Sequence, residues 1–143
     1  MKLILKRILF YILSFTWGLP MSLVGALAIL VTLPFKGHVH LYHGRVYAVW
    51  NFVQDAGFEL GCFFIIGPGC ESCNAHESGH GLQNCLWGPL MFFVITGPSI
   101  VRYWYRELKY YRKGKTPPTK YDDIWFEGQA TRWGQQFVKN DIL

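Results

Sequence analysis

Two histidines and a glutamate have the residue types and the spacing needed to bind a metal ion and to activate water. Residues 76–80 follow the pattern H-E-x-x-H, with His76, Glu77 and His80 at its fixed positions. Side chains four residues apart lie on one face of an α-helix, so the two imidazoles can bind one zinc ion. The glutamate between them then lies beside the zinc-bound water and can accept its proton. The pattern therefore predicts a hydrolytic zinc site.

A catalytic zinc site usually has three protein ligands, so the two histidines need a partner from elsewhere in the chain. Glu127 is the favoured candidate, because it is an acidic residue among bulky apolar neighbours in a predicted helix. Asp122 and Asp123 fall in the first turn of that helix, where acidic residues stabilise the positive end of the helix dipole. The weaker candidates are Asp55, Glu59 and Glu71.

The cysteines offer a rival metal site. Cys70 and Cys73 precede the two histidines in the pattern C-x2-C-x2-H-x3-H, which could close a structural zinc site with four protein ligands. That spacing lacks the long loop between ligand pairs that is typical of zinc fingers, and it leaves Glu77 without a role. In an oxidising compartment the same two cysteines would instead form a disulfide. The remaining histidines, expected to lie at an interface without chemistry, are His38, His40 and His43.

The distribution of charge indicates an integral membrane protein. The 28 residues from 8 to 35 carry no charged side chain, which exceeds the roughly 20 residues needed to cross a bilayer and the apolar core of a signal peptide. The net charge of +5 comes from basic residues that flank the apolar runs, as the positive-inside rule predicts for a membrane protein. We therefore expect a lipid bilayer as a partner, no nucleic-acid partner, and one mainly α, membrane-embedded, zincin-like domain over residues 1–143.

The first half of the chain is predicted to contain a membrane helix and a small sheet. Residues 6–34 are expected to form one transmembrane helix with a kink or a short break at residues 17–20, because proline removes a helical hydrogen bond and clashes with the preceding turn. Residues 38–66 contain β-prone runs separated by turn residues. They predict a β-hairpin or a small sheet.

The second half contains the residues with chemical function. Residues 75–105 predict the H-E-x-x-H helix and then a second apolar helix, and residues 121–138 predict an amphipathic C-terminal helix. A straight second span would leave Glu127 on the opposite side of the membrane from His76. The Gly-Pro pairs that follow the H-E-x-x-H helix are therefore expected to bend the chain and to fold these helices back on each other.

Three groups of residues, spread in order over most of the chain, carry a resemblance. They are Trp17, Leu19 and Pro20; then His76, Glu77, His80, Gln83, Gly88 and Pro89; and last Tyr121, Phe126, Glu127 and Ala130. In this order they resemble the pattern of a family of small bacterial membrane proteins built around H-E-x-x-H. More distantly, the chain is similar to intramembrane metalloproteases of the site-two class and to gluzincins, in which a downstream glutamate completes the zinc site.

The resemblance implies that His76, His80 and Glu127 are zinc ligands, that Glu77 is the general base, and that the protein resides in the bacterial inner (plasma) membrane. One position departs from the gluzincin pattern. Gluzincins often have an aspartate four residues after the ligand glutamate, which orients a ligand histidine from outside the metal sphere. That position is Thr131 here, and its hydroxyl can accept such a hydrogen bond more weakly.

These features predict a zinc-dependent, membrane-embedded metallopeptidase that acts on a peptide or membrane-protein substrate. Glu77 would take the proton of the zinc-activated water and pass it to the leaving amine, and an edge of the β-prone segment could pair with an extended substrate. Two alternatives remain open on the sequence: a non-catalytic, zinc-stabilised membrane scaffold or assembly protein, and a zinc hydrolase of lipids or other amides. The candidates for stabilising an oxyanion are His43, Arg45 and Tyr121.

Overall fold

A computed structural model describes residues 2–35, 37–53 and 56–139. Within these residues the chain is mainly helical, with one small mixed sheet. The helices are α1 (Lys2–Phe15), α2 (Leu19–Thr32), α3 (Cys73–Trp87), α4 (Gly97–Lys109) and α5 (Trp125–Lys139). The strands are β1 (Val39–Tyr42), β2 (Arg45–Val49), β3 (Gly57–Leu60) and β4 (Phe63–Ile66).

The N-terminal apolar segment forms two helices rather than one kinked helix. α1 and α2 are bent by 93° relative to each other. Pro20 lies in the first turn of α2, where its missing N–H would have had no helical partner. The break is held in place by α3, because the side-chain amide of Asn84 donates to the carbonyl of Gly18 at 3.4 Å. The interruption predicted at residues 17–20 is therefore a break between two helices, the second of the two predicted forms, rather than a kink.

The β-prone segment forms a four-stranded sheet in the order β1-β2-β4-β3. β2 pairs in parallel with β4, and the other two pairings are antiparallel. Successive side chains on a strand point to opposite faces. Ala48 and Ile65 pack on Ile29 of α2, whereas Arg45 and Phe64 face α3. The small sheet predicted over this segment is confirmed, and β3 forms one of its edges.

A bend after α3 folds the chain back, so that α5 packs along α3. Gly88, at the C-terminus of α3, has a φ of 53°, in the left-handed region that favours glycine. Pro89 begins the next turn, and the helical run that follows is bent by 113° from α3. The Gly-Pro pair at residues 97–98 does not bend the chain, because Gly97 directly follows the π-helical turn Phe92–Thr96 and begins α4.

α5 packs along α3 more extensively than any other pair of described elements pack together. The two backbones meet at small residues. A Cβ added to Gly79 would lie 1.9 Å from the carbonyl oxygen of Ala130, and one added to Gly134 would lie 1.7 Å from that of Ala75. Glycine at these two crossing points therefore sets the distance between the helices that carry the site residues.

The predicted helices correspond to described elements with small changes in their bounds. The residues predicted over 75–105 form α3, the π-helical turn and α4, and those over 121–138 form a 3-10 turn followed by α5. In the described part of the chain, no single helix has both the length and the apolar composition to cross a bilayer. By those two criteria alone, two bent pairs could cross it: Ile4–Phe15 with Leu19–Thr32, and Cys73–Leu90 with Phe92–Lys113.

Candidate metal centre

The two histidines of the H-E-x-x-H pattern lie on one face of α3 and converge on a single point. Their rings are 4.7 Å apart and nearly perpendicular. The Nε2 atoms of His76 and His80 lie 3.0 Å from each other. The helical period places both residues on the face turned toward α5. Each imidazole therefore directs the same nitrogen at the same small volume.

α5 supplies the third group. Glu127 is fully buried, and its Oε2 lies 3.1 Å from the Nε2 of His76 and 3.1 Å from that of His80. Burial alone would raise the pKa of the Glu127 carboxyl, but its contacts with the two histidines and the hydrogen bond from Ser99 outweigh this effect and hold the pKa well below its usual range. The carboxyl is therefore ionised at neutral pH.

The orientation of His80 is fixed by a glutamine on the same helix. The side-chain amide of Gln83 donates to the carbonyl oxygen of Phe126 and to Oε1 of Gln129, each at 2.9 Å. Its own oxygen therefore points the other way and accepts from the Nδ1 of His80 at 2.7 Å. A neutral imidazole that donates from Nδ1 carries its lone pair on Nε2. His80 is thus prepared to act as an Nε2 ligand.

The Nδ1 of His76 lies 2.8 Å from the hydroxyl of Thr131 on α5. Histidine ligands of metals usually donate their second ring nitrogen to an outer group, which fixes the ring and its tautomer. This contact lies at the position where Thr131 departs from the gluzincin pattern. The hydroxyl makes the hydrogen bond that an aspartate would have made, without adding a negative charge.

The second oxygen of Glu127 is also held. Ser99 of α4 donates to Oε1 at 2.5 Å, and the Ser99 hydroxyl lies 3.3 Å from the hydroxyl of Tyr121. Burial, followed by the nearby Glu127 charge, raises the pKa of Tyr121, so the phenol stays protonated. Three separate elements thus fix the carboxylate between the histidines and the hydroxyl groups.

The three converging atoms fit a metal ion. They form a triangle with edges of 3.0, 3.1 and 3.1 Å, and a tetrahedral ion with ligands at 2.0–2.1 Å holds them about 3.3 Å apart. Lone pairs at this distance repel one another unless a cation lies between them. A proton joins only two of the atoms, whereas a metal ion joins all three. His76, His80 and Glu127 could therefore hold a metal ion, and imidazole and carboxylate are ligands that zinc uses.

Glu77 lies beside this triangle in a cavity of about 1050 Å³. The side chain of Glu77 is buried and packs directly on the backbone of Gly57 in β3, where an added Cβ would lie 2.5 Å from its Oε1. The same cavity is lined by the two histidines, Tyr121 and the whole of β3. A buried carboxylate next to a candidate metal site in an open cleft is the arrangement that a general base requires.

The other candidates for the third ligand lie elsewhere. Asp122 lines the cavity, and Asp123 accepts from the backbone N–H of Lys120 at 2.7 Å, as expected of a residue at the start of a helix. Glu71 is exposed, and Glu59 is buried on β3. Asp55 lies outside the described residues.

The rival cysteine site is not assembled. Cys70 and Cys73 form a disulfide, so neither sulfur is a thiolate ligand, and both histidines direct Nε2 toward Glu127. The other three histidines lie in the hairpin of β1 and β2, away from the cavity. Within that hairpin His38 bonds to the carbonyl oxygen of Val49, and His40 stacks on Tyr47.

The structure also separates the three candidates for an oxyanion donor. Tyr121 lines the cavity, and its ring lies 6.5 Å from that of His76. Arg45 is fully buried and donates to backbone carbonyls, including that of Glu77 at 3.0 Å. His43 lies in the turn between β1 and β2. Tyr121 is therefore the one of the three with access to a bound substrate.

Sequence reasoning missed two groups that hold the site. The prediction from sequence gives Ser99 no function. A hydroxyl within an apolar run of the chain nevertheless indicates a hydrogen-bond partner, because buried hydroxyls need one. Gln83 belongs to the pattern that carries the resemblance, but its role could not be predicted from the sequence, since its hydrogen bond to His80 depends on the position of α5.

No family model, no curated protein and no solved structure matches the chain.

Proposed function

We propose that this protein is a zinc-dependent metallopeptidase embedded in the bacterial plasma membrane. The observation that carries the proposal is the convergence of His76, His80 and Glu127, with ligand atoms 3.0–3.1 Å apart, beside the buried carboxylate of Glu77. Three protein ligands would hold the metal here, the number that catalytic zinc sites use, whereas structural sites use four. A structural site would have no use for an adjacent buried base.

The residues of the cleft have distinct roles in this proposal. Bound zinc would lower the pKa of its water and polarise the scissile carbonyl. Glu77 would serve as the general base that accepts a proton from the attacking water and passes it to the leaving amine. Tyr121, a protonated phenol on the cavity wall, donates to the oxygen of the scissile carbonyl as negative charge develops there.

β3 supports a peptide as the substrate. It is an edge strand of the sheet, and all of its residues line the cavity that contains Glu77. A strand edge binds an extended peptide through main-chain hydrogen bonds, which recognise the backbone rather than one sequence. Hydrolysis of a lipid or of an amide that is not a peptide would leave this edge unused.

The outer surface of the helices supports the membrane location. Large apolar side chains stand out from α1, α2 and the start of the α4 region, such as Leu5 at 66% exposure, Val31 at 67% and Phe93 at 73%. Monomeric soluble proteins rarely expose contiguous apolar patches of this extent. In α4 the apolar residues give way to tyrosine, tryptophan, arginine and lysine, the composition of a membrane interface.

The membrane location has a direct test. Membranes from cells that express the full chain are washed with alkaline carbonate, which strips proteins held only by charge. We expect the protein to remain in the membrane pellet and to leave it only with detergent. Recovery of folded protein in the carbonate supernatant would contradict integration into the bilayer.

The metal site is tested by elemental analysis of the purified chain. We expect about one zinc ion per wild-type chain, and near-complete loss in His80→Ala and in Glu127→Ala, because two remaining ligands bind zinc weakly. Cys73→Ser is the matched control, and it should retain the metal. If zinc were kept in Glu127→Ala but lost in Cys73→Ser, the closed cysteine-histidine site would replace the one proposed.

A further inference from the structure

A second carboxylate lines the cavity and has no hydrogen-bond partner. Glu59 lies in the middle of β3 and is 6% exposed. Neither of its side-chain oxygens accepts a hydrogen bond of normal geometry from the described residues, and the Gly61 amide makes only a weak contact with it. An ionised carboxylate can accept about four hydrogen bonds, and burying it unsatisfied is costly. Such a group is rarely retained in a cleft without a ligand to receive.

The nearby arginine does not supply the missing hydrogen bonds. Arg45 attracts Glu59 through its charge, but its donors are directed to four backbone carbonyls, those of Gly61, Cys62, Phe63 and Glu77. Burial raises the pKa of Glu59 well above its usual value, and the Arg45 charge and the Gly61 amide offset this only in part. The carboxylate oxygens of Glu59 can therefore accept hydrogen bonds from a further cationic donor.

The position of Glu59 relates it to the reacting groups. Gly57 and Glu59 are two residues apart on β3, so both face α3, and Gly57 packs on Glu77. Two residues on a strand span about 6.7 Å. A glutamate side chain together with one amino-acid residue of the substrate is long enough to bridge this distance. A group bound by Glu59 would therefore lie about one residue along the substrate from the peptide bond beside Glu77.

The cavity also has apolar walls, which lie on the face of β3 opposite Glu59. The next residue on β3, Leu60, lines the cavity together with Met91 and Ile95, which are each 1% exposed. A ligand here should present a positive donor to Glu59 and an apolar side chain to these walls. The α-ammonium group of a peptide with an apolar first residue has both features.

We propose that Glu59 binds the free α-ammonium group of the substrate, so that the protein removes an apolar residue from the N-terminus of a peptide. This inference rests on the proposed peptidase function and adds the substrate class to it. Glu59 acts here as a specificity residue: it recognises the end of the chain, and Glu77 acts on the first peptide bond. Blocking the amine should remove the cation that Glu59 receives.

The test compares two ligands that differ at the amine alone. Leucinol and N-acetylleucinol, which have no peptide bond after the first residue and so cannot be cleaved there, are titrated calorimetrically into the full chain as purified in detergent. We expect leucinol to bind at least about tenfold more tightly, the effect of a hydrogen-bonded charge. The preference should vanish in Glu59→Gln and persist in Glu71→Gln, which changes an exposed glutamate.

Each outcome of the titration decides the inference. Equal affinity of the wild type for the two ligands, or no affinity for either, would overturn it, and so would a preference that survives in Glu59→Gln. The titration is repeated after chelation, because an amine bound to the metal would lose its preference there. If Glu59→Gln does not fold, the two ligands on the wild type still give the answer. Because binding is read without hydrolysis, loss of the peptidase proposal would be seen separately.

Discussion

Glu77→Gln is expected to abolish peptide hydrolysis while leaving the bound metal in place. The amide has the size and shape of the carboxylate but cannot accept a proton from water. A positioned general base contributes about 10²- to 10⁴-fold to a rate, so the rate of peptide hydrolysis should fall by that factor. The metal should stay, because Glu77 is not among the three converging groups. Activity is followed by mass spectrometry of a mixture of short peptides, and zinc is measured in the same sample.

The control for this variant is Glu71→Gln, which makes the same chemical change on the surface just before α3. It should hydrolyse peptides at the wild-type rate. Equal rates in both variants would remove Glu77 from the mechanism. A wild type that binds zinc but cleaves no peptide in the mixture would instead favour the scaffold, since a scaffold needs the three ligands but no base.

Gly79→Ala is expected to destabilise the fold and to remove the metal together. The added methyl would lie 1.9 Å from the carbonyl oxygen of Ala130, where ordinary contact begins at 3.4 Å, so α5 must move by about the difference of 1.5 Å. Overpacking of this kind typically costs about 1–3 kcal/mol of unfolding free energy. A metal site tolerates only about 0.2 Å in its ligand distances. The displaced Glu127 would therefore no longer complete the site.

The measurements are the midpoint of chemical unfolding and the zinc content. Gly114→Ala is a matched control, because a Cβ there meets no atom within 4 Å and only the φ of 64° opposes it. It should lose some stability through that backbone strain but keep its zinc. Full zinc in a well-folded Gly79→Ala variant would mean that the α3 and α5 backbones are not held in contact as described.

The sequence was most informative where the chemistry is local. The H-E-x-x-H spacing is a property of one helix, so His76 and His80 could be placed on a common face before any tertiary contact was known. Likewise, β-prone runs and turn residues predicted a small sheet between the helices. The choice of Glu127 over its rivals had an additional basis, because a carboxylate among bulky apolar neighbours needs a buried partner.

What the sequence could not predict depends on packing between distant segments. The direction of Gln83 is set by Phe126 and Gln129 on α5, and the hydroxyl of Ser99 reaches Glu127 only because α4 folds back after the bend at Gly88. The hydropathy of the sequence indicated the length of the N-terminal apolar segment but not the angle between the two helices that it forms. The 93° turn there depends on contacts with α3 as well as on the local proline.

The convergence of α3 and α5 also has a consequence for the unfolded chain. A metal ion held by His80 and Glu127 ties together two points that are 47 residues apart along the chain. Closing a loop of this size removes about 4 kcal/mol of chain entropy from the unfolded state, by the same reasoning that applies to a disulfide. Such a clip would last only while the metal is present. On the proposed function, withdrawal of zinc would therefore lower the free energy of unfolding as well as stop catalysis, and it would make the chain easier for proteases to degrade.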